Sequence, residues 1–166
     1  NRYVQCAKLL SNPNGASKIC NSLAEKILKS FPSVDLILSP ALGGIIIGYE
    51  IGRRLNKEAI FSERVKGKFK LRRGFSIKKN AKVLIVEDVI TTGKSILECA
   101  KLVKKANAKV LGFACIMDRS NKKSLLIKKN KIISQIKISI PVYKKNALPH
   151  FLKKIPATRL GSRFIK

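Results

Sequence analysis

Two adjacent carboxylates followed by a run of hydroxyl-bearing residues stand mid-chain, in Val83-Leu84-Ile85-Val86-Glu87-Asp88-Val89-Ile90-Thr91-Thr92-Gly93-Lys94-Ser95. The four apolar residues Val83 to Val86 read as a strand running to the carboxyl edge of a sheet, where open α/β sheets place their ligands. Glu87 and Asp88 are expected to emerge there side by side. Thr91 to Ser95 open a helix, and N–H groups at a helix N-terminus, with hydroxyls beside them, bind a phosphate dianion. Gly93 allows the ligand to approach the backbone closely. Carboxylates repel a phosphate but accept hydrogen bonds from vicinal ribose hydroxyls. The segment therefore asks for a ribose 5-phosphate lying across the strand end.

Gly93-Lys94-Ser95 also ends like a Walker A motif, which requires a glycine five positions earlier. Position 88 is Asp, an acid that would repel nucleotide phosphates, so that reading fails. An ordinary capped strand-to-helix turn explains Thr92 and Gly93. It does not explain two adjacent acids at the end of an apolar strand.

The elements around this segment alternate between helix and strand, which predicts parallel βαβ units with helices on both faces of a sheet. Ile19, Leu23 and Ile27 repeat at helical spacing over 16–30, and Phe31-Pro32 ends that helix. Val34 to Leu38 reads as a strand, Ser39 to Gly44 as a turn, and Ile45 to Leu55 as a helix. A strand begins at Ala59-Ile60-Phe61. The polar, basic stretch 62–73, centred on Gly67, reads as an exposed loop or loose hairpin. Lys82 to Glu87 is the near-continuous apolar run of a central strand buried on both faces. A helix over Lys94 to Ala106, a strand over Val110 to Met117 and a β-rich stretch over Ile132 to Val142 follow. Pro141, Pro149 and Pro156 punctuate an irregular tail.

A length of 166 residues suits one α/β domain, spanning 1–166, and is short for two. No apolar run approaches the roughly 20 residues that cross a bilayer, and Asn1 to Cys6 lacks the pattern of a signal peptide. A cytoplasmic protein is the expectation. The formal net charge is +27, from 36 Lys and Arg against 9 Asp and Glu. These cations run from Arg2 to Lys166 without clustering, and there are three Tyr and no Trp to stack on bases. Nucleic acid is therefore not the expected partner, although so positive a field attracts small polyanions. Cys6, Cys20, Cys99 and Cys115 form no Cys-x-x-Cys pair, and His150 is the one histidine, so no protein-held metal site is expected. The thiols read as small core residues.

The 83–95 segment resembles the phosphoribosyl-diphosphate signature of the type I phosphoribosyltransferases. Within them, the chain is similar to the orotate phosphoribosyltransferases. That resemblance rests on Tyr3-Val4-Gln5-Cys6-Ala7, Ser39-Pro40-Ala41-Leu42-Gly43-Gly44, Phe61-Ser62-Glu63-Arg64, Leu71-Arg72-Arg73-Gly74-Phe75, Asp118-Arg119-Ser120 and Leu160-Gly161-Ser162-Arg163. It implies a central, mostly parallel sheet flanked by helices, with a small hood formed by terminal segments. Family members usually carry some tens of residues before the Tyr-x-Gln-Cys-Ala match, so a hood segment is expected to be missing before Asn1.

The resemblance implies transfer of a phosphoribosyl group from 5-phosphoribosyl 1-diphosphate (PRPP) to N1 of orotate, with Mg²⁺. The products are orotidine 5′-monophosphate and diphosphate, in pyrimidine (UMP) biosynthesis. By similarity, Glu87, Asp88, Val89, Ile90, Thr91, Thr92, Gly93, Lys94 and Ser95 bind PRPP. The carboxylates take the ribose hydroxyls, Thr91 to Ser95 take the 5′-phosphate, and Thr91 and Arg119 face orotate. Lys94 replaces a small residue common in the family. Ala41, Leu42, Gly43 and Gly44 match the diphosphate loop, where some relatives carry a lysine in place of Gly43. The 62–73 stretch matches a mobile catalytic loop that closes over the neighbouring subunit's site in a homodimer. Arg64, Lys66 and Lys68 are its catalytic candidates. A purine or uracil phosphoribosyltransferase is the alternative, opposed by Arg119, because those bases carry no carboxylate. A PRPP-sensing, nucleic-acid-binding regulator of the same fold is another, supported by the charge alone.

Overall fold

The computed structural model describes residues 4–121, 125, 132–141, 143 and 145–156. Two helices, α1 (Cys6–Leu10) and α2 (Pro13–Ser30), precede strand β1 (Leu36–Pro40) and helix α3 (Gly44–Leu55). Strands β2 (Glu58–Val65) and β3 (Lys68–Leu71) form a hairpin. Strand β4 (Lys82–Ile90), helix α4 (Lys94–Lys105) and strands β5 (Lys109–Asp118) and β6 (Ile132–Lys137) follow. A 3-10 turn, Lys145–Ala147, and a short helix α5 (His150–Lys153) belong to the tail.

The six strands lie in the order β3-β2-β1-β4-β5-β6. Every neighbouring pair is parallel except β2 and β3. Alternating side chains of β4 feed two cores. Leu84 and Val86 pack with Leu23 and Ile27 of α2 and Ile47 and Ile51 of α3. Val83 and Ile85 pack with Ile96, Cys99 and Val103 of α4 on the other face. Val83 to Val86 are fully buried, which is why the sequence there shows an unbroken apolar run.

Chain direction around β1 and β4 decides where a ligand can bind. From β1 the chain passes through α3 to β2 on one side of the sheet's centre; from β4 it passes through α4 to β5 on the other. The two helices leave on opposite faces, so a crevice opens between the carboxyl ends of β1 and β4.

Several boundaries differ from expectation. Helix α2 starts at Pro13 instead of 16, because the Asn12 side chain accepts the Gly15 N–H at 3.0 Å and Pro13 suits the first turn. Strand β4 runs on to Ile90, paired with Asp118 of β5. The 62–73 stretch, read as an exposed loop or loose hairpin, is an antiparallel hairpin up to Leu71, with its Ser62 and Phe69 buried. In the last β-rich stretch, Ile132–Lys137 forms the strand, residues 138–141 do not continue it, and Val142 lies outside the described residues. Asn1 to Tyr3 and the Leu160–Arg163 motif lie outside the described residues.

Candidate active site

Both loops flanking the crevice end in a glycine that begins a helix. Gly93, at φ 78°, stands just before α4, and the first helical bond runs from Leu97 N–H to its carbonyl at 3.0 Å. The N–H groups of the helix's first turn have no intrahelical acceptor. Lys94 N–H points to Thr92 Oγ1 at a long 3.4 Å. Thr91 and Thr92 are exposed at the rim of a polar depression lined by Glu87 and Val89 to Ile96. Partial positive charge, open N–H groups and two hydroxyls make this end of α4 a seat for a phosphate.

Across the crevice, the turn 41–43 leads into α3, which likewise lacks a side-chain cap. Ala41 N–H donates to Ser62 C=O at 2.8 Å, and the Ala41–Leu42 peptide is cis. The turn meets the end of β4 at Gly43. A Cβ there would stand 2.7 Å from Asp88 Oδ2, so only glycine lets the turn lie against that carboxylate. This contact explains why a side chain such as lysine is absent from position 43.

The two acids do not emerge side by side, as the sequence suggested. Both lie within β4, where neighbours point to opposite faces. Asp88 is on the α3 side, under Gly43 and near Cys6, and its Oδ1 accepts the Val89 N–H at 2.8 Å. Glu87 is on the α4 side, near Cys99. The strand must therefore be approached over its end for one ligand to reach both.

Arg119 follows β5 directly, and its backbone N–H donates to Ile90 C=O at 2.8 Å, tying it to the end of β4 beside Thr91. Asp118 has another task. Its buried carboxylate accepts the Ser120 N–H at 2.8 Å and lies 3.5 Å from Lys137 Nζ. That bracing holds the backbone around Arg119.

Comparison with known proteins gives the same answer as the crevice. A family described as "Phosphoribosyl transferase domain" matches residues 7–146. The orotate phosphoribosyltransferase of Parvibaculum lavamentivorans is 43% identical over 98% of this chain and 84% of its own length. That of Erythrobacter litoralis is 41% identical over 97% of this chain and 83% of its own. The chain belongs to the orotate phosphoribosyltransferase family. The fold agrees with the crystal structure of the Aeropyrum pernix orotate phosphoribosyltransferase, with a TM-score of 0.68 at 18% identity, covering 82% of this chain and 78% of that one.

Within this family member, the three hairpin cations have different surroundings. Arg64 points to the α4 side. Its Nη2 lies 2.7 Å from Glu98 Oε2, its Nη1 donates to Gly67 C=O at 2.7 Å, and its guanidinium covers Phe69 at 4.1 Å. Lys66, at the tip, and Lys68 are exposed. Ser62, which the sequence placed in a motif without a role, has its buried hydroxyl 3.3 Å from Cys99 Sγ while its carbonyl anchors the 41–43 turn. A serine within an otherwise apolar strand start is the one signal that could have marked it.

The thiols behave as core groups. Burial pushes Cys6 up to about 11, with nearby Asp88 adding to the rise. Burial likewise raises Cys20 to about 11 and Cys99 to about 12, and it raises Cys115 as well. None is poised as a nucleophile, since the reactive form is the thiolate.

Proposed function

We propose that this chain transfers the phosphoribosyl group of PRPP to N1 of orotate, releasing diphosphate and orotidine 5′-monophosphate in pyrimidine biosynthesis. The observation that carries the reading is the meeting of two glycine-started helix ends at the carboxyl edge of β1 and β4, with Asp88 between them. One substrate with phosphate at both ends of a ribose fits that arrangement. The 5′-phosphate sits on Thr91 to Ser95, where Lys94 adds charge to the open N–H groups. The diphosphate lies along Ala41 to Gly44 at the other helix end. Glu87 and Asp88 accept the ribose hydroxyls between them.

Orotate then lies over Thr91 with its carboxylate on the guanidinium of Arg119, whose planar fork matches it bidentately. Departure of diphosphate leaves positive charge on the ribose ring, so the chain's work is positioning and charge compensation. Asp88 and Glu87 supply negative charge beside the developing cation.

A divalent cation fits this site in one particular way. Among the described residues no group of three His, Cys, Asp or Glu side chains could cage a metal. Mg²⁺ prefers one or two carboxylates plus substrate phosphates, and Asp88 and Glu87 offer hard oxygen donors of that kind. When bound, Mg²⁺ neutralises diphosphate charge.

A homodimer completes the proposal. Leu42, Ile46 and Tyr49 are large, exposed apolar residues spaced along one side of α3 and its leading turn. No helix among the described residues is long and apolar enough to cross a membrane, and we assign the chain to the cytoplasm. The deciding assay follows loss of orotate absorbance with PRPP and Mg²⁺. Turnover is expected, and Arg119→Ala should raise the Michaelis constant for orotate roughly 10- to 100-fold while sparing that for PRPP. No turnover by the intact chain would overturn the reading.

A further inference from the structure

Gly44, Gly48 and Gly52 repeat at four-residue spacing and therefore share one side of α3. That side rests directly on the sheet. A Cβ at Gly44 would stand 3.1 Å from the Val86 carbonyl oxygen and 3.2 Å from Ser39 Cβ and Pro40 Cδ. One at Gly48 would stand 2.1 Å from Ser39 Oγ and 3.0 Å from Ser39 Cβ, and one at Gly52 2.7 Å from Ala59 Cβ. Glycine weakens a helix interior, so the chain gives up helix stability to bring this backbone down onto β1 and β2.

Ser39 supplies an independent observation. It is 1% exposed, and among the described residues its hydroxyl has no hydrogen-bond partner. A buried hydroxyl left unpaired lowers stability, and alanine would occupy the same place without that cost. Pleating sends Ser39 to the α3 face together with Ile37, two residues before it. Its Oγ fills the hollow that Gly48 leaves in the helix, so a partnerless polar atom faces a missing side chain. Groups that weaken a fold in this way persist where function requires them.

The place of this contact ties it to the crevice. Ser39 is the next-to-last residue of β1, and the 41–43 turn begins two residues on. That turn is pinned at Ala41 by Ser62 C=O and lies at Gly43 against Asp88. Helix α3 follows at once without a side-chain cap, so the N–H groups of its first turn are open to a ligand. How far those groups stand above the crevice depends on how closely α3 sits on Ser39.

We infer that Ser39 and Gly48 form a seat that sets the height of α3, and that Gly48 is thereby a positioning residue for the diphosphate end of PRPP. It acts from the second turn of the helix, through the first. This inference rests on the phosphoribosyl-transfer reading.

Gly48→Ala puts a methyl against Ser39 Oγ, so α3 must rise or the serine must turn aside. Calorimetric titration with PRPP and Mg²⁺ should show affinity lowered roughly tenfold or more. The Michaelis constant for PRPP should rise in step, while that for orotate holds. Adding Ser39→Gly removes both crowding atoms and should restore most of the lost affinity. Ser39→Thr crowds the seat from the strand side with a residue suited to strands, and it should weaken PRPP binding as well. Ile51→Val thins the fully buried core contact of the same helix without crowding the seat, so it should lower the unfolding midpoint and keep PRPP affinity. Intact PRPP affinity in both crowding variants would overturn the inference, as would an equal loss in Ile51→Val or no recovery with Ser39→Gly. PRPP binding by the unaltered chain without consumption of orotate would sink the transfer reading, and the seat would then stand or fall on the binding data. Orotate turnover with equal PRPP binding by every variant would sink the seat alone.

Discussion

At the scale of single residues, the site depends on one missing side chain. Gly43 lies so close to Asp88 that a Cβ would reach to 2.7 Å of Oδ2 and 2.9 Å of Oδ1. Gly43→Ala therefore has to push the turn off the carboxylate or rotate the carboxylate away from Val89 N–H. Overpacking of this sort costs about 1–3 kcal/mol, which urea unfolding will register. The Michaelis constant for PRPP should rise, since the diphosphate turn and a ribose-facing acid are displaced together. An alanine variant with native stability and native PRPP use would mean that the turn does not rest against Asp88. The residue types at 87–95 were readable as phosphate and ribose chemistry. Asp88 against Gly43 was not, because the two are far apart in sequence and meet only once β1 and β4 pair.

Among the elements, the hairpin shows what contacts between segments add to the sequence reading. Its polar, basic composition resembles a solvated loop, yet Phe69 is buried and Arg64 folds over it toward Glu98 of α4. A partly exposed ion pair contributes about 0–1 kcal/mol, and a cation over an aromatic ring about as much again. Arg64→Ala is accordingly expected to lower stability by about 1 kcal/mol. Glu98→Gln should reproduce part of that loss, and the double variant should lose less than the sum, the coupling read from a denaturation cycle. A large fall in turnover with unchanged stability would give Arg64 a catalytic part. Helix α2 carries a related lesson. Its apolar repeat was visible, but its start depended on the Asn12 side chain reaching Gly15, which a periodicity argument does not see.

For the whole molecule, strand order decides where the chemistry can happen. Placing β1 beside β4 sends α3 and α4 to opposite faces and brings two helix N-termini to one crevice. The same topology presents Leu42, Ile46 and Tyr49 on an exposed flank of α3, with Leu42 belonging to the turn that leads into that helix. If a second copy covers that flank, Tyr49→Glu should shift the mass measured by light scattering from dimer to monomer and reduce turnover with it. A monomeric unaltered chain at full activity would exclude the shared-site arrangement.

By itself the sequence determined the alternation of helix and strand, the central buried strand and the helix start after it, because hydrophobic periodicity and helix-start chemistry are local. It also carried the family, through short motifs whose residue types are matched to one substrate. Tertiary structure alone decided three things: that Glu87 and Asp88 lie on opposite faces of β4, that Arg64 is fastened to α4, and that Arg72 and Arg73 share one carboxylate. Each depends on strand pleating or on contacts between segments distant in the chain, which no window along the sequence contains.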